Sequence, residues 1–267
     1  MTISHFSHRV VHGLRHGGLP WLVRTVGLKL VPPRLIMKQA VISAVTERCG
    51  LEIGGPSSVF AAKGLLPIYP VVGRIDNVNF STRTAWEAGL QDGGKFQFDP
   101  RRAPGTQWIR EAADLNGIAD GGYDFVLSSH CLEHLANPLR ALREWRRVVK
   151  PKGHLVLILP DPQRTFDHRR AITTLEHLRK DFADGTAEND LSHVEEVLAK
   201  HDLHRDWRAG SPENFRQRAL RNPENRCLHH HVFDLALIEA ILAETHWRVV
   251  ATQRLRPLHL IAFAEKR

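Results

Sequence analysis

An acidic residue inside an apolar run, followed at once by two glycines, constrains this chain more than any other stretch: Leu51-Glu52-Ile53-Gly54-Gly55-Pro56-Ser57-Ser58. It reads as a buried strand running into a turn that approaches a ligand closely, as a nucleotide-type cofactor requires where a parallel strand ends. Pro56 fixes its own φ and donates no hydrogen bond, so the turn has a different shape from an all-glycine loop.

From about Gln39 the pattern alternates between helices and strands. Ala40–Thr46 reads as a short helix and Leu51–Gly54 as the first strand. An irregular second strand is expected within Ile68–Asp76, broken by Pro70 and Gly73, and a third at Gln107–Arg110. Tyr123–Ser128 is apolar and entered through Gly121-Gly122, a strand signature. Asn137 before Pro138 makes a helix start. Leu139, Leu142, Trp145 and Val149 then recur at spacings of three and four, one apolar stripe. Leu155–Leu159 is a continuous apolar run, as inside a parallel sheet. Residues 161–228 break the rhythm and read as an inserted, partly helical lid over the strand ends. A helix at Asp234–Thr245 and two strands, Trp247–Arg254 and Leu258–Glu265, close the chain, with Arg256-Pro257 turning them into an antiparallel hairpin. The expected fold is therefore α/β: a Rossmann-like, doubly wound, mostly parallel seven-stranded sheet with a C-terminal antiparallel hairpin and an inserted helical lid. Residues 39–267 form this domain, and 1–38 a basic N-terminal extension.

The net charge of +8 is concentrated in that extension, because no acidic residue precedes Glu47 while Arg9, Arg15, Arg24, Lys29, Arg34 and Lys38 do. With apolar patches at Leu19–Val23 and Val26–Val31, it suits an anionic membrane surface or an anionic substrate. A disordered leader, a helix packed over the core and an organellar presequence stay open as alternatives. No apolar run reaches the length of a membrane span. Arg15, Arg24 and Lys29 interrupt every early apolar segment, against a secretory signal. The three cysteines, Cys49, Cys131 and Cys227, are scattered and odd in number. They suggest neither a disulfide framework nor a metal spacing, and so a reducing cytoplasm, with peripheral membrane contact through the basic N-terminus.

The sheet reading places Gly54-Gly55, Asp76, Asp114-Leu115 and Ser128-Ser129-His130 at successive strand carboxyl ends, which form the ligand crevice of an open sheet. With these residues in that order, the chain resembles the class I S-adenosylmethionine-dependent methyltransferases, in particular the small-molecule group called type 11, over about residues 48–160. Glu52, Gly54 and Gly55 match the start of that family's acidic-x-Gly-x-Gly loop. The resemblance implies that Asp76 is its ribose-binding acid and that Asp114-Leu115 is its adenine-contacting pair, with Ser129 also at the cofactor. Tyr123–Val126 and Leu132-Glu133-His134-Leu135 look like its fourth strand and the start of the next helix, and Val148–Leu155 like the turn before its fifth strand. Pro56 and Ser58 stand where further glycines are usual, and Lys152 replaces one of a common glycine pair.

S-adenosyl-L-methionine is accordingly the expected cofactor. Methyl transfer is an in-line displacement that needs alignment, exclusion of water and, for a hydroxyl acceptor, a proton acceptor. Histidine is the natural base near neutral pH. His130 and His168, with Asp161 on the rim, are the candidate catalytic residues, and Arg169 or Arg170 could grip an anionic group of the acceptor. The histidines also allow a metal reading: His229-His230-His231 offers an i, i+2 pair on one face of a strand, which Asp161, Asp167, His168, His177 and His193 could complete. No metal is assigned from the sequence. The expectation is methylation, at oxygen, of a small-molecule or glycan acceptor. The alternatives are a methyltransferase fold that binds without catalysing and an RNA methyltransferase. The basic balance favours the latter, but no aromatic-basic interleaving supports nucleic acid as a partner. A nicotinamide-dependent oxidoreductase is disfavoured, since the fingerprint lacks its third glycine. The sequence does not fix the oligomeric state.

Overall fold

A computed structural model describes residues 34–84, 87–206 and 208–267. The expectations for the basic extension fall almost wholly outside these residues.

The chain opens with helix α1 (Lys38–Val45) and strand β1 (Cys49–Ile53). Strands β2 (Arg74–Asn79), β3 (Lys95–Phe96), β4 (Gly105–Ile109) and β5 (Tyr123–Ser129) follow, then helix α2 (Pro138–Val148) and strand β6 (Val149–Pro160). Residues 161–228 carry helices α3 (Leu175–Asp184), α4 (Val194–Lys200), α5 (Pro212–Leu220) and α6 (Asn222–Asn225). Helix α7 (Leu235–Glu244) and strands β7 (Trp247–Leu255) and β8 (His259–Lys266) complete the chain. The strands form one sheet in the order β3-β4-β2-β1-β5-β6-β8-β7. Strands β4, β2, β1, β5 and β6 run parallel, and β8 and β7 return antiparallel on β6. The sheet thus has one strand more than expected, because the two-residue β3 pairs antiparallel along the edge of β4.

Burial on both faces explains the unbroken apolar strands. Successive side chains point to opposite faces. Val126, Leu155 and Leu157 pack with Leu139, Leu142 and Trp145 of α2 and Ile238 and Ile241 of α7. Phe125, Leu127, Val156 and Ile158 pack with Val41 and Val45 of α1 and with Phe60, Leu66, Ile68 and Tyr69. Asn137 caps α2 by accepting from the Arg140 N–H at 3.1 Å, and Asp234 caps α7 by accepting from the Leu237 N–H at 2.8 Å. The 161–228 stretch has a small apolar core of its own, with Val194, Val197, Phe215, Ala219 and Leu228. Among the described residues, no helix is long and apolar enough to cross a membrane.

The second strand also departs from expectation. It is Arg74–Asn79, later than Ile68–Asp76. Ile68, Tyr69 and Val72 are buried, but they belong to the irregular crossover beneath the sheet. Pro67 and Pro70 remove the backbone donors a strand or helix would need there.

Candidate active-site crevice

Connections leave β1 toward β2 and leave β5 toward β6, in opposite directions. Such a reversal opens a crevice beyond the carboxyl ends of the two strands, where open α/β sheets bind ligands. Ile53 lies in register with Ser128, which puts Gly54 and Ser129 together at its mouth. Gly54 has φ of 78°, the left-handed region that favours glycine. A Cβ there would also come within 3.0 Å of the Cys131 sulfur. Ser129 is buried, and its hydroxyl has no hydrogen-bond partner among the described residues.

The glycine turn is pinned down by side chains of the sheet. Gly55 donates its N–H to Asn77 Oδ1 at 3.1 Å, and its carbonyl accepts from Asn77 Nδ2 and Asn79 Nδ2, each at 3.1 Å. Gln107 ties the two asparagines together, accepting from Asn77 at 2.9 Å and donating to Asn79 at 3.1 Å. A Cβ on Gly55 would collide with the Glu52 carboxylate and the Asn77 amide oxygen, so close packing demands glycine here. Glu52 accepts from the Tyr69 hydroxyl at 2.8 Å and from the Ser57 N–H at 3.0 Å. Burial pushes the Glu52 carboxyl up to about 8, more than those two hydrogen bonds pull it down. The Gly55–Pro56 bond is cis. A single 3-10 turn, Ser58–Phe60, follows in place of a helix.

Across the crevice, His130 also adopts a left-handed φ, 53°. Its Nε2 lies 3.1 Å from His259 Nδ1, and its Nδ1 lies 3.7 Å from Glu133 Oε1. Burial, with His259 and His229 nearby, pushes His130 down to about 3, so the ring is neutral. Glu133 is 1% exposed, and neither carboxylate oxygen has a hydrogen-bond partner from another described residue. Burial pushes its carboxyl up to about 7 against the pull of His229. His134 Nδ1 donates to the Leu228 carbonyl at 3.0 Å, and burial holds its pKa well below the ordinary value. His229 Nδ1 lies 2.6 Å from Asp167 Oδ2. Burial opposes charge on His229, but Asp167 outweighs it and raises the pKa. Burial likewise opposes charge on Asp167, yet His229 and Arg170 bring it down to about 2. Arg226, from the 161–228 stretch, pairs with Glu111 at 2.7 Å and Glu188 at 3.3 Å and lies over the Phe80 ring, locking that stretch onto the ends of β2 and β4.

Residues 86–157 match the family model described as a methyltransferase domain. They run through β5, α2 and most of β6 and stop short of the glycine turn. A solved S-adenosylmethionine-dependent methyltransferase from Mesorhizobium loti superposes with a TM-score of 0.50 at 12% identity, over 86% of this chain and 95% of that one. The chain has the fold of the class I methyltransferases. A SAM-dependent methyltransferase from Methanosarcina mazei gives a TM-score of 0.47 at 15% identity, over 85% and 96% of the two chains. No curated protein matches the sequence.

Within this fold the expected site residues separate. Gly54, Ser129 and His130 come together at the crevice, and Asp114 stands exposed on its rim with Arg140 at 3.9 Å. Gly55 lies in the turn with its backbone committed to Asn77, and Glu52 lies beneath it, committed to Tyr69. Asp76 is not at a strand end, because it pairs with Leu51 in the middle of β2. It is buried, accepting from the Tyr123 hydroxyl at 2.7 Å and the Thr106 N–H at 2.9 Å, beside Arg74 at 3.3 Å. The strand ends at Asn79 instead. Leu115 is fully buried, and its N–H goes to Glu144 at 3.0 Å. Asp161 caps a 3-10 turn by accepting from the Gln163 N–H, with Arg254 at 3.7 Å. His168 pairs with Asp202 at 2.9 Å inside the 161–228 stretch. Arg170 is buried, donating to Asp167 and to the carbonyls of His229 and His230.

The three consecutive histidines do not form a strand. His229 turns toward Glu133 and His134, while His230 and His231 approach His193. Sequence reasoning placed Asp167 with the three histidines but missed Glu133 and His134 as partners of His229. The adjacent Glu133-His134 pair was the available signal, but it lies 95 positions from His229, and only the folded chain brings them together.

Proposed function

We propose that this domain binds S-adenosyl-L-methionine at the Gly54–Ser129 crevice and methylates an oxygen of a small-molecule or glycan acceptor. The observation that carries the reading is the meeting, where the strand order reverses, of Gly54 and a Ser129 hydroxyl with no hydrogen-bond partner among the described residues. A side-chain-free residue and an unsatisfied polar atom fit a ligand that approaches backbone closely. Gly54, Ser129 and, from the rim, Asp114 are the residues that would hold the cofactor. When bound, it supplies an electrophilic methyl group on a sulfonium.

The remaining work belongs to the chain. The 161–228 stretch, held down through Arg226, covers the strand ends and limits water. His130 is the proposed proton acceptor for the acceptor hydroxyl, since it stands at the crevice with its ring oriented by His259. A separate cavity of about 470 Å³, lined by Arg83, Arg218, Arg221 and Glu224 and by none of the crevice residues, suits a polar, anionic or polyhydroxylated group.

The test is transfer of a labelled methyl group from S-adenosylmethionine to fractionated small-molecule and glycan extracts, with RNA as a parallel substrate. Label in base-stable O-methyl products of the first two supports the reading, and label confined to RNA contradicts it. A second reading, a fold that binds without catalysing, is favoured by the committed amides of Gly55 and Ser57. Cofactor binding with no transfer to any extract would establish it.

A further inference from the structure

The geometry points to a divalent transition-metal site built from Glu133, His134 and His229, which clamps the 161–228 stretch to the end of β5. One ligand atom from each lies within 4.8 Å of the other two, and all three residues are buried or nearly so. His134 Nε2 is 3.9 Å from Glu133 Oε1. The two imidazole rings stand at 81° with centroids 4.6 Å apart, so they converge from different directions.

Three further observations separate this group from an ordinary polar cluster. The Glu133 carboxylate is buried, and among the described residues no other one donates a hydrogen bond to either oxygen, which is costly unless a cation meets it. His134 donates its Nδ1–H to a backbone carbonyl, which aims its Nε2 inward. His229 places its Nδ1 on Asp167, which Arg170 holds in turn, leaving its Nε2 for the centre. An imidazole whose second nitrogen is held by a carbonyl or carboxylate is the usual support of a metal-bound histidine.

Two imidazoles and one carboxylate suit zinc and its first-row neighbours, whereas magnesium and calcium prefer all-oxygen sets. Bonds of about 2.0–2.2 Å would draw the three atoms together by roughly 1 Å. His177, His193 and His231 form a competing cluster, in which His177 Nε2 and His193 Nε2 are 3.2 Å apart. It lacks a carboxylate among its three members, and the His177 side chain is 40% exposed. The site stands independently of methyl transfer, so either reading can fail alone.

The test uses the full chain, stripped with a chelator, then titrated with Zn(II) by calorimetry and with Co(II) by visible absorption. One equivalent is expected, with Glu133→Gln and His229→Asn each weakening binding at least tenfold. Asp167→Asn should weaken it by about 10- to 100-fold. His177→Asn should leave it unchanged. Near-ultraviolet circular dichroism checks that each variant is folded, and the wild-type titration stands whatever the variants do. Absence of stoichiometric uptake by the wild type overturns the assignment. So does uptake lost in His177→Asn and kept in Glu133→Gln.

Discussion

The Tyr69 hydroxyl donates to the Glu52 carboxylate at 2.8 Å, beneath the turn where a cofactor is expected to lie. The acid of the glycine turn is therefore a structural anchor: with Ser57 it holds the turn against the crossover that carries Tyr69. Replacing Tyr69 with Phe leaves a buried carboxyl with one donor fewer. Tyr69→Phe should cost about 1–3 kcal/mol in urea unfolding. A change below a few tenths would show that the hydroxyl anchors nothing.

Glu52 also sets a pH dependence. Its pKa is raised from 4.5 to about 8 on folding, so the folded state holds the proton more tightly. The stability tied to this group is complete below about pH 4.5 and is lost as pH rises through 8, a change on the order of a few kcal/mol. Glu52→Gln removes that titration. Melting temperatures of the two proteins from pH 5 to 9 should therefore diverge in favour of the variant at the alkaline end. Parallel curves would place the Glu52 pKa near its ordinary value.

Gly55→Ala forces a Cβ into the Glu52 carboxylate and the Asn77 amide, neither of which can move without breaking the network that pins the turn. Overpacking of this kind costs about 1–3 kcal/mol or more. Chemical denaturation measures it, and wild-type stability in the variant would contradict the described turn.

Asp76 should act on stability and leave cofactor affinity alone. Asp76→Asn weakens its bonds with Tyr123, Thr106 and Arg74 and should cost about 1–3 kcal/mol. Calorimetry on the folded variant should give a cofactor affinity within about twofold of wild type, since no atom of Asp76 reaches the strand end. A tenfold loss would return Asp76 to the site.

The contrast between Asp76 and Gly54 shows which parts of the site could be read from sequence. Gly54, Ser129 and His130 follow strands whose apolar runs have clear ends, so their positions at the crevice could be counted out. The second strand could not be bounded that way. Ile68, Tyr69 and Val72 are as apolar as strand residues, yet they pack in an irregular crossover, because periodicity reports burial and not backbone form. That shift moved the expected ribose acid inward and left Asn79 at the strand end. The helix caps at Asn137 and Asp234 depend on neighbours a few positions away and were legible. The Glu133–His134–His229 group joins residues nearly a hundred positions apart, beyond any local pattern.

His130 tests the chemistry. If it takes the acceptor's proton, His130→Gln should lower kcat by about 10²–10⁴ while the KM for the cofactor stays within a few fold. Equal loss in kcat and cofactor affinity would make it a binding residue.

Calorimetric titration of the full chain with S-adenosylmethionine, S-adenosylhomocysteine and NAD tests the central claim most directly. Saturable binding of both adenosyl ligands at one equivalent, with no heat from NAD, is the result expected of the Gly54–Ser129 crevice. Binding of NAD alone would contradict the account.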